Sequence, residues 1–96
     1  MSTTISHQAD TAAAFLKGLA NPNRLRILCV LSTGETCVTD ILTHLDISQT
    51  ALSQHLAKLR NEGIVDYRRD HRTLYYFIQD KKVKEIMDVL YQSYCA

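Results

Sequence analysis

Apolar residues recur at helical spacing in the first part of the chain, and they predict two helices there. Residues 11–20 form an amphipathic run, whereas residues 1–9 are polar and unpatterned and are predicted to be disordered. Asn21 and Pro22 mark the start of the second helix, because Asn caps helix N-termini and Pro is accepted at the first helical position. The sequence Ser-Thr-Gly at 32–34 ends that helix.

Two further helices follow, separated by a tight turn. Apolar residues predict a short third helix over residues 38–45. Ser48 is suited to cap a fourth helix over residues 49–62, which Gly63 would end. The segment 38–62 therefore has the layout of a helix-turn-helix.

After residue 63 the period of the apolar positions changes from 3.6 to 2. Residues 64–69 and 73–78 alternate like strands, and the link between them predicts a β-hairpin over residues 64–78. A last helix over residues 81–94 carries one apolar stripe. The predicted order is ααααββα. We expect one domain over residues 1–96, mainly α with a small β-hairpin (α+β), with a winged helix-turn-helix architecture.

The fourth helix has a buried stripe and a polar face free of carboxylates. Leu52, Leu56 and Leu59 fall in one narrow arc, and residues 47–61 contain two basic residues and no acidic residue. Short hydrogen-bonding side chains suit the base edges of a DNA major groove, and basic side chains hold phosphates. The basic hairpin tip suits an adjacent groove. The candidate DNA-contacting residues are Ser48, Gln49, Thr50, Ser53, Gln54, His55, Lys58, Arg60, Arg68, Arg69, His71 and Arg72.

Length and charge restrict the remaining possibilities. The chain has 96 residues and a formal net charge of +1, which averages over an acidic-leaning N-terminal part and the carboxylate-free face. No apolar run reaches the ~20 residues of a membrane span, and residues 1–10 lack the features of a signal peptide, so we expect a cytoplasmic protein. The chain is small for an enzyme, and we expect no catalytic residues and no cofactor.

The sequence resembles the ArsR family of winged-helix repressors. The resemblance is carried by residues 16–28 (LKGLANPNRLRIL), 48–60 (SQTALSQHLAKLR), 63–65 (GIV) and 75–76 (YY), and it extends over residues 11–95. It implies a homodimer built from the first and last helices. It also implies binding to a double-stranded DNA operator with an inverted repeat, which a small effector relieves.

Members of that family commonly bind metals, but their ligand patterns are incomplete here. In the segment where a Cys-x-Cys site occurs, only Cys37 remains and Thr39 replaces the second thiolate. The last helix contains no histidine, and the four histidines of the chain are scattered, whereas a tetrahedral site needs three or four ligands together. We therefore expect no metal site, with a site built from Cys37 and a partner chain as the alternative.

The three cysteines are too few for a disulfide scaffold. By residue type alone, Cys29 is a small core residue and Cys95 is inert. Residues 24–29 (RLRILC) and 90–96 (LYQSYCA), however, resemble the sulfur- and redox-responsive branch of the ArsR family, the BigR, YgaV, SqrR and HlyU group. That resemblance implies that Cys29 and Cys95 are a redox-sensing pair that reactive sulfur species or oxidants bridge, with Cys37 as a bystander.

Other classes of function remain open from the sequence. A polar helix face is often merely solvated. The chain could be a thiol-independent winged-helix regulator, or a winged-helix module that docks a protein partner and not DNA. A thiol enzyme is disfavoured because the chain has no Cys-x-x-Cys motif. Steep salt dependence of binding would distinguish DNA from a protein partner.

Overall fold

A computed structural model describes residues 3–94 and contains five helices and three strands in that range. The elements are α1 (Thr3–Leu19), α2 (Pro22–Ser32), β1 (Thr36–Cys37), α3 (Val38–Thr43), α4 (Gln49–Asn61), β2 (Val65–Asp70), β3 (Thr73–Ile78) and α5 (Lys81–Tyr94). The fold is mainly helical with one small antiparallel sheet, so the predicted fold class is confirmed. Both helices of the helix-turn-helix end one or two residues earlier than predicted.

The predicted helix caps are confirmed by their hydrogen bonds. The Asn21 side chain accepts from the backbone N–H groups of Asn23 and Arg24, at 3.0 and 3.1 Å. The Ser48 hydroxyl accepts from the N–H of Ala51 at 3.0 Å. Each cap satisfies amide donors that have no partner inside the helix, and so fixes where α2 and α4 begin.

Gly63 ends α4 in a Schellman motif. Its φ angle is 76°, its N–H donates to the carbonyl of Arg60, and the N–H of Ile64 donates to the carbonyl of Leu59. Leu59 and Ile64 are both buried. The chain therefore turns sharply from α4 into β2.

The sheet contains a strand that the sequence pattern did not predict. Its order is β1-β3-β2, and β1 pairs with β3 through Thr36 with Tyr76 and Cys37 with Tyr75. Two residues are too few to show an alternating pattern, so the predicted order ααααββα lacks this element. Because β1 directly precedes α3, it attaches the helix-turn-helix to the hairpin.

Helix α1 begins at Thr3, where the sequence analysis expected disorder over residues 1–9. Residues 3–17 contain neither glycine nor proline, so nothing in this run breaks a helix. Residues 4–14 are exposed, which explains why they show no apolar pattern. For residues 3–9 the expectation of disorder was wrong.

The core is formed by side chains from each of the five described helices and from the start of β2. Its buried side chains are Leu19, Ile27, Leu28, Leu31, Ile41, Leu52, Leu56, Leu59, Ile64, Val65, Val83 and Met87. No helix in the described range is both long and apolar enough to span a membrane.

Candidate nucleic-acid interface

The predicted reading face of α4 is exposed along its length. Leu52, Leu56 and Leu59 are at most 1% exposed and hold the helix against the core. The opposite side presents Gln49, Thr50, Ser53, Gln54, Lys58 and Asn61 to solvent. A shallow depression lies among the polar side chains of the first two turns, against Ala57. This half of α4 therefore offers amide and hydroxyl groups at the surface.

Three predicted DNA contacts near this face, Ser48, His55 and Lys58, have different environments. Ser48 is exposed, but its hydroxyl is used in the helix cap. His55 is half-buried, whereas its neighbour Gln54 is exposed. The side chain of Lys58 has neither a hydrogen bond nor an ion pair with any residue in 3–94. Among these three, Lys58 is the side chain with a cationic head ready to meet a phosphate.

Arg60 is bound within the protein. Its Nε donates to Oδ1 of Asp66 on β2 at 3.0 Å, and its guanidinium carbon lies 4.4 Å from the ring centroid of Tyr67. The hydrogen bond from Arg60 lowers the pKa of Asp66, with help from the N–H of Tyr67, and raises the pKa of Arg60 itself. The sequence analysis gave this arginine a phosphate contact. The structure places it in a contact between α4 and β2.

Arg68 is bound in a similar way within the β-hairpin of β2 and β3 (residues 65–78), which we call the wing. Its Nε donates to Glu35, with contacts of 2.9 and 3.0 Å to the two carboxylate oxygens. Its guanidinium carbon lies 4.6 Å from the ring centroid of Tyr75 on β3. The hydrogen bond to Glu35 raises the pKa of Arg68. Arg68 thus joins the loop before β1 to the hairpin.

The tip of the wing carries the remaining predicted basic residues. His71 has a φ of 59°, in the left-handed region, and its Nδ1 lies 2.8 Å from Oδ1 of Asp70. Arg69 and Arg72 are exposed, and neither has an ion pair within the described range. With Lys58, these two arginines are the unpaired cations of the candidate interface.

Sequence reasoning missed the groups that hold the two bound arginines. Glu35 and Asp66 are acidic residues with no motif around them, and Tyr67 packs against Tyr76 with ring centroids 5.4 Å apart. Burial raises the pKa of Tyr76, with a smaller contribution from Tyr67. The sequence feature that could have indicated the Arg60 contact is the adjacent pair of an acidic and an aromatic residue, Asp66 and Tyr67.

Cys29 lies half-buried on α2 and packs against the core. Cys37 is half-buried at the N-cap of α3, and its thiol makes no capping hydrogen bond. Cys95, the predicted partner of Cys29, lies outside the described residues. Within residues 3–94, no three His, Cys, Asp or Glu side chains come together as a metal site would require.

An apolar groove runs between α1 and α5, on the side of the molecule formed by its first and last helices. Leu16 is 51% exposed and Val89 is 64% exposed, which is high for large apolar side chains. The groove is also lined by Phe15 and Ile86, with Lys82 and Glu85 at its edge. These residues belong to the first and last helices, which the family resemblance implies are the helices that form a homodimer.

Comparison with known proteins gives one consistent family. The sequence pattern described as "Bacterial regulatory protein, arsR family" matches residues 21–67. The transcriptional activator HlyU of Vibrio cholerae is 42% identical over 88% of this chain and 78% of its own length. The biofilm growth-associated repressor of Agrobacterium fabrum is 40% identical over 93% of this chain and 76% of its own. The crystal structure of HlyU from Vibrio vulnificus covers 96% of both chains with a TM-score of 0.90 and 39% identity.

A protein whose name refers to a metal is also similar. The cadmium resistance transcriptional regulatory protein CadC homolog of Staphylococcus aureus is 38% identical over 82% of this chain and 65% of its own length. Similarity at this level therefore extends to regulators whose names describe different roles, and the residues of this chain must be considered individually.

Proposed function

The chain belongs to the arsR family of bacterial regulatory proteins and is a DNA-binding transcriptional regulator rather than an enzyme, and we propose that thiol chemistry at Cys29 and Cys95 switches its operator binding. In this proposal the active form is a homodimer. The effector is a reactive sulfur species or an oxidant.

The exposed polar face of α4 is the observation that supports sequence-specific binding. Gln54 and Ser53 present an amide and a hydroxyl on the first two turns, and a glutamine amide matches the N6 and N7 groups of adenine. Lys58, Arg69 and Arg72 supply unpaired positive charge for phosphates, which contribute affinity with little sequence information. The polar residues of α4 would thus contact the bases, whereas the three cationic residues would contact the DNA backbone.

The groove between α1 and α5 supports the homodimer. Water contact with the apolar side chains of Leu16 and Val89 is unfavourable, and a second copy placed on this groove would remove it. Two copies would present two α4 helices to half-sites about one DNA turn (~34–36 Å) apart. Changing the distance between the two helices would therefore weaken binding without changing either helix.

The position of Cys29 supports its role as a sensor. It lies on α2, which packs against α5, and Nζ of Lys84 on α5 donates to the carbonyl of Ser32 at 3.2 Å. The hydroxyl of Ser32 donates in turn to the carbonyl of Cys29 at 2.6 Å. Cys95 follows the last described residue of α5 directly in sequence. A bridge between the two sulfurs would fasten together two helices that are already in contact.

The proposed chemistry has two steps. One thiolate attacks the terminal sulfur of a persulfide, forming a cysteine persulfide and releasing the carrier thiol. The second thiolate attacks the protein-bound sulfur of that persulfide, forming the disulfide and releasing sulfide. The two cysteines are oxidised by two electrons, and the transferred sulfur is reduced to sulfide. Peroxide would instead form a sulfenic acid first, and the second thiolate would displace water.

The test measures mass and DNA binding on the same sample. The probe is a duplex selected from a random pool by the reduced wild-type protein, and intact mass and probe affinity are measured before and after persulfide, peroxide and Zn²⁺. We expect persulfide to remove two hydrogens per chain, or to add bridging sulfur, and to weaken binding by about 5- to 150-fold, the usual range of coupling between two sites.

Single cysteine variants assign the effect. Cys29→Ser and Cys95→Ser should bind the probe as the wild type does and should no longer release it on persulfide treatment. Cys37→Ser is the matched control and should respond like the wild type. A Cys29→Ser protein that still releases DNA would contradict the thiol mechanism. Release by stoichiometric Zn²⁺ that is lost in Cys37→Ser would support the metal-responsive alternative.

A further inference from the structure

Arg60 is surrounded by partners from the wing, although it lies on the recognition helix. Its Nε donates to Asp66 at 3.0 Å while its planar guanidinium lies 4.4 Å from the Tyr67 ring centroid. A guanidinium combines directed N–H donors with a flat face that stacks on aromatic rings, and here both are used at once. Arg60 therefore contacts two consecutive residues of β2.

These partners are themselves fixed to the rest of the wing. Oδ1 of Asp66 also accepts from the N–H of Tyr67 at 2.8 Å, which sets the orientation of the carboxylate. The Tyr67 ring packs on Tyr76 of β3, and Tyr76 pairs through its backbone with Thr36 of β1. The contact made by Arg60 thus extends from α4 through β2 and β3 to the strand that precedes the helix-turn-helix.

The contact between Arg60 and Asp66 contributes little to the stability of the fold. The Arg60 and Asp66 side chains are 50% and 38% exposed, and an ion pair open to solvent contributes little to folding. The geometry of the contact instead concerns the orientation of the wing relative to α4. Only residues 62–64 separate α4 from β2. If α4 and the wing both contact the duplex, their relative orientation determines whether both can bind at once.

We propose that Arg60 is a positioning residue for DNA binding, which fixes the wing against the recognition helix through Asp66 and Tyr67 and does not neutralise a phosphate. The inference rests on the proposed roles of α4 and the wing in contacting DNA. It assigns to Arg60 a role opposite to that of Lys58, which lies two residues away and has no ion pair within residues 3–94.

Whether a substitution of Asp66 strengthens or weakens DNA binding distinguishes a positioning role of Arg60 from a purely electrostatic one. If electrostatic attraction to DNA were the only factor, Asp66→Asn would tighten binding, because it removes a negative charge from the DNA-facing side. If Asp66 holds Arg60 in place, the same substitution weakens binding. The asparagine keeps the size of the side chain, so the comparison changes little besides charge and hydrogen bonding.

The experiment measures the affinity of the reduced protein for the selected duplex between 50 and 200 mM salt. We expect Arg60→Gln and Asp66→Asn each to weaken binding at least about fivefold, the lower end of ordinary coupling, with the salt slope unchanged. The double variant should be no weaker than either single variant, because both remove the same contact. Lys58→Gln is the matched control, and its slope should fall by about 0.9, the value for one lost phosphate contact.

Arg60→Lys provides the conservative variant. Lysine keeps the positive charge but lacks the planar fork, so it would rescue a phosphate contact and should not rescue the stacked one. Wild-type affinity in Arg60→Lys, a reduced salt slope in Arg60→Gln, or tighter binding in Asp66→Asn would each overturn the inference. Binding by the wild type without salt dependence would overturn the proposed interface as well, and the wild-type measurement alone reveals that failure.

Discussion

Neighbouring side chains of α4 have different environments because the helix turns them toward different parts of the molecule. Gln54 and Lys58 lie one turn apart on the exposed face, whereas Arg60 lies beside the wing. Charge and residue type are therefore insufficient to assign a role on this helix. What decides the role is whether the polar head already has a partner.

A substitution at Gln54 should change specificity more than affinity for DNA in general. Gln54→Ala removes an amide suited to a bidentate contact with adenine, and one such contact is worth about 1–3 kcal/mol of discrimination. We expect weaker binding to the selected duplex, an unchanged salt slope, and relaxed preference at one base position. Binding to a library of single-base variants measures this. Asn61→Ala, at the far end of the same face, is the control, and an equal loss in both variants would contradict the assignment.

The periodic part of the candidate site could be predicted from the sequence, and the paired part could not. Leu52, Leu56 and Leu59 define the buried side of α4 through their spacing, and the exposed polar face follows from it. The Arg60–Asp66 contact depends on the turn at Gly63, because this turn decides which way β2 leaves the helix. No fixed spacing in the sequence encodes such a contact.

At the scale of elements, Arg24 joins three helices. Its guanidinium donates to the carbonyl of Gly18 in α1 and to both carboxylate oxygens of Glu62, the C-cap of α4. Arg24 itself is on α2 and is mostly buried. The end of α4 is thereby held to the helices that form the other side of the core.

This contact makes stability depend on pH in the acid range. The hydrogen bond from Arg24 lowers the pKa of Glu62 below its ordinary value of 4.5. A lowered pKa in the folded state means that the contribution is complete above pH 4.5 and is lost as the pH falls below it. Glu62→Gln should therefore lower the free energy of unfolding at pH 7 by at most about 1 kcal/mol, and the difference from wild type should shrink as the pH falls below 4.5.

Urea unfolding at pH 7, 5, 4 and 3 measures this difference. Asp46→Asn is the control, because Asp46 is exposed and has no ion pair in the described part of the chain. A Glu62→Gln protein whose deficit persists unchanged at pH 3 would show that Arg24 does not act through the ionised carboxylate.

The elements missed by sequence analysis were those whose formation depends on distant partners. Strand β1 exists because Thr36 and Cys37 meet Tyr76 and Tyr75, about 40 positions later in the chain. The first turns of α1 are exposed, so no apolar period marks them. The capped helices were predicted because Asn21 and Ser48 act within three residues of their own positions.

At the scale of the whole molecule, the apolar groove between α1 and α5 and the α4 face define two separate surfaces. Leu16 and Val89 lie on the first, and the polar side chains of α4 lie on the second. In the proposed dimer the first surface is covered and the second remains open to DNA. Self-association and DNA contact can then occur together.

Charge placed in the groove should separate the two copies. Val89→Lys and Leu16→Lys each put an ammonium group where the proposed partner would exclude water, which is costly for an unpaired charge. We expect the dissociation constant of the dimer to rise at least tenfold, equivalent to about 1.4 kcal/mol, and operator binding to weaken with it. Analytical ultracentrifugation over a concentration series measures the first effect.

Gln79→Lys is the matched control, because Gln79 is exposed and does not line the groove. It should sediment like the wild type. A wild-type protein that sediments as a monomer at all concentrations, or a Val89→Lys protein that remains dimeric, would contradict the assignment of this surface.

The strand order has a consequence for how the protein avoids aggregation. Among residues 3–94, β2 lies at one edge of the sheet with no neighbouring strand on one side of its backbone, and such an edge is a template for pairing with another chain. Arg68, Arg69 and Asp70 occupy its outer half, and charged side chains on an edge oppose that pairing. We expect these charges to oppose pairing between the hairpins of separate molecules, whether or not DNA is bound.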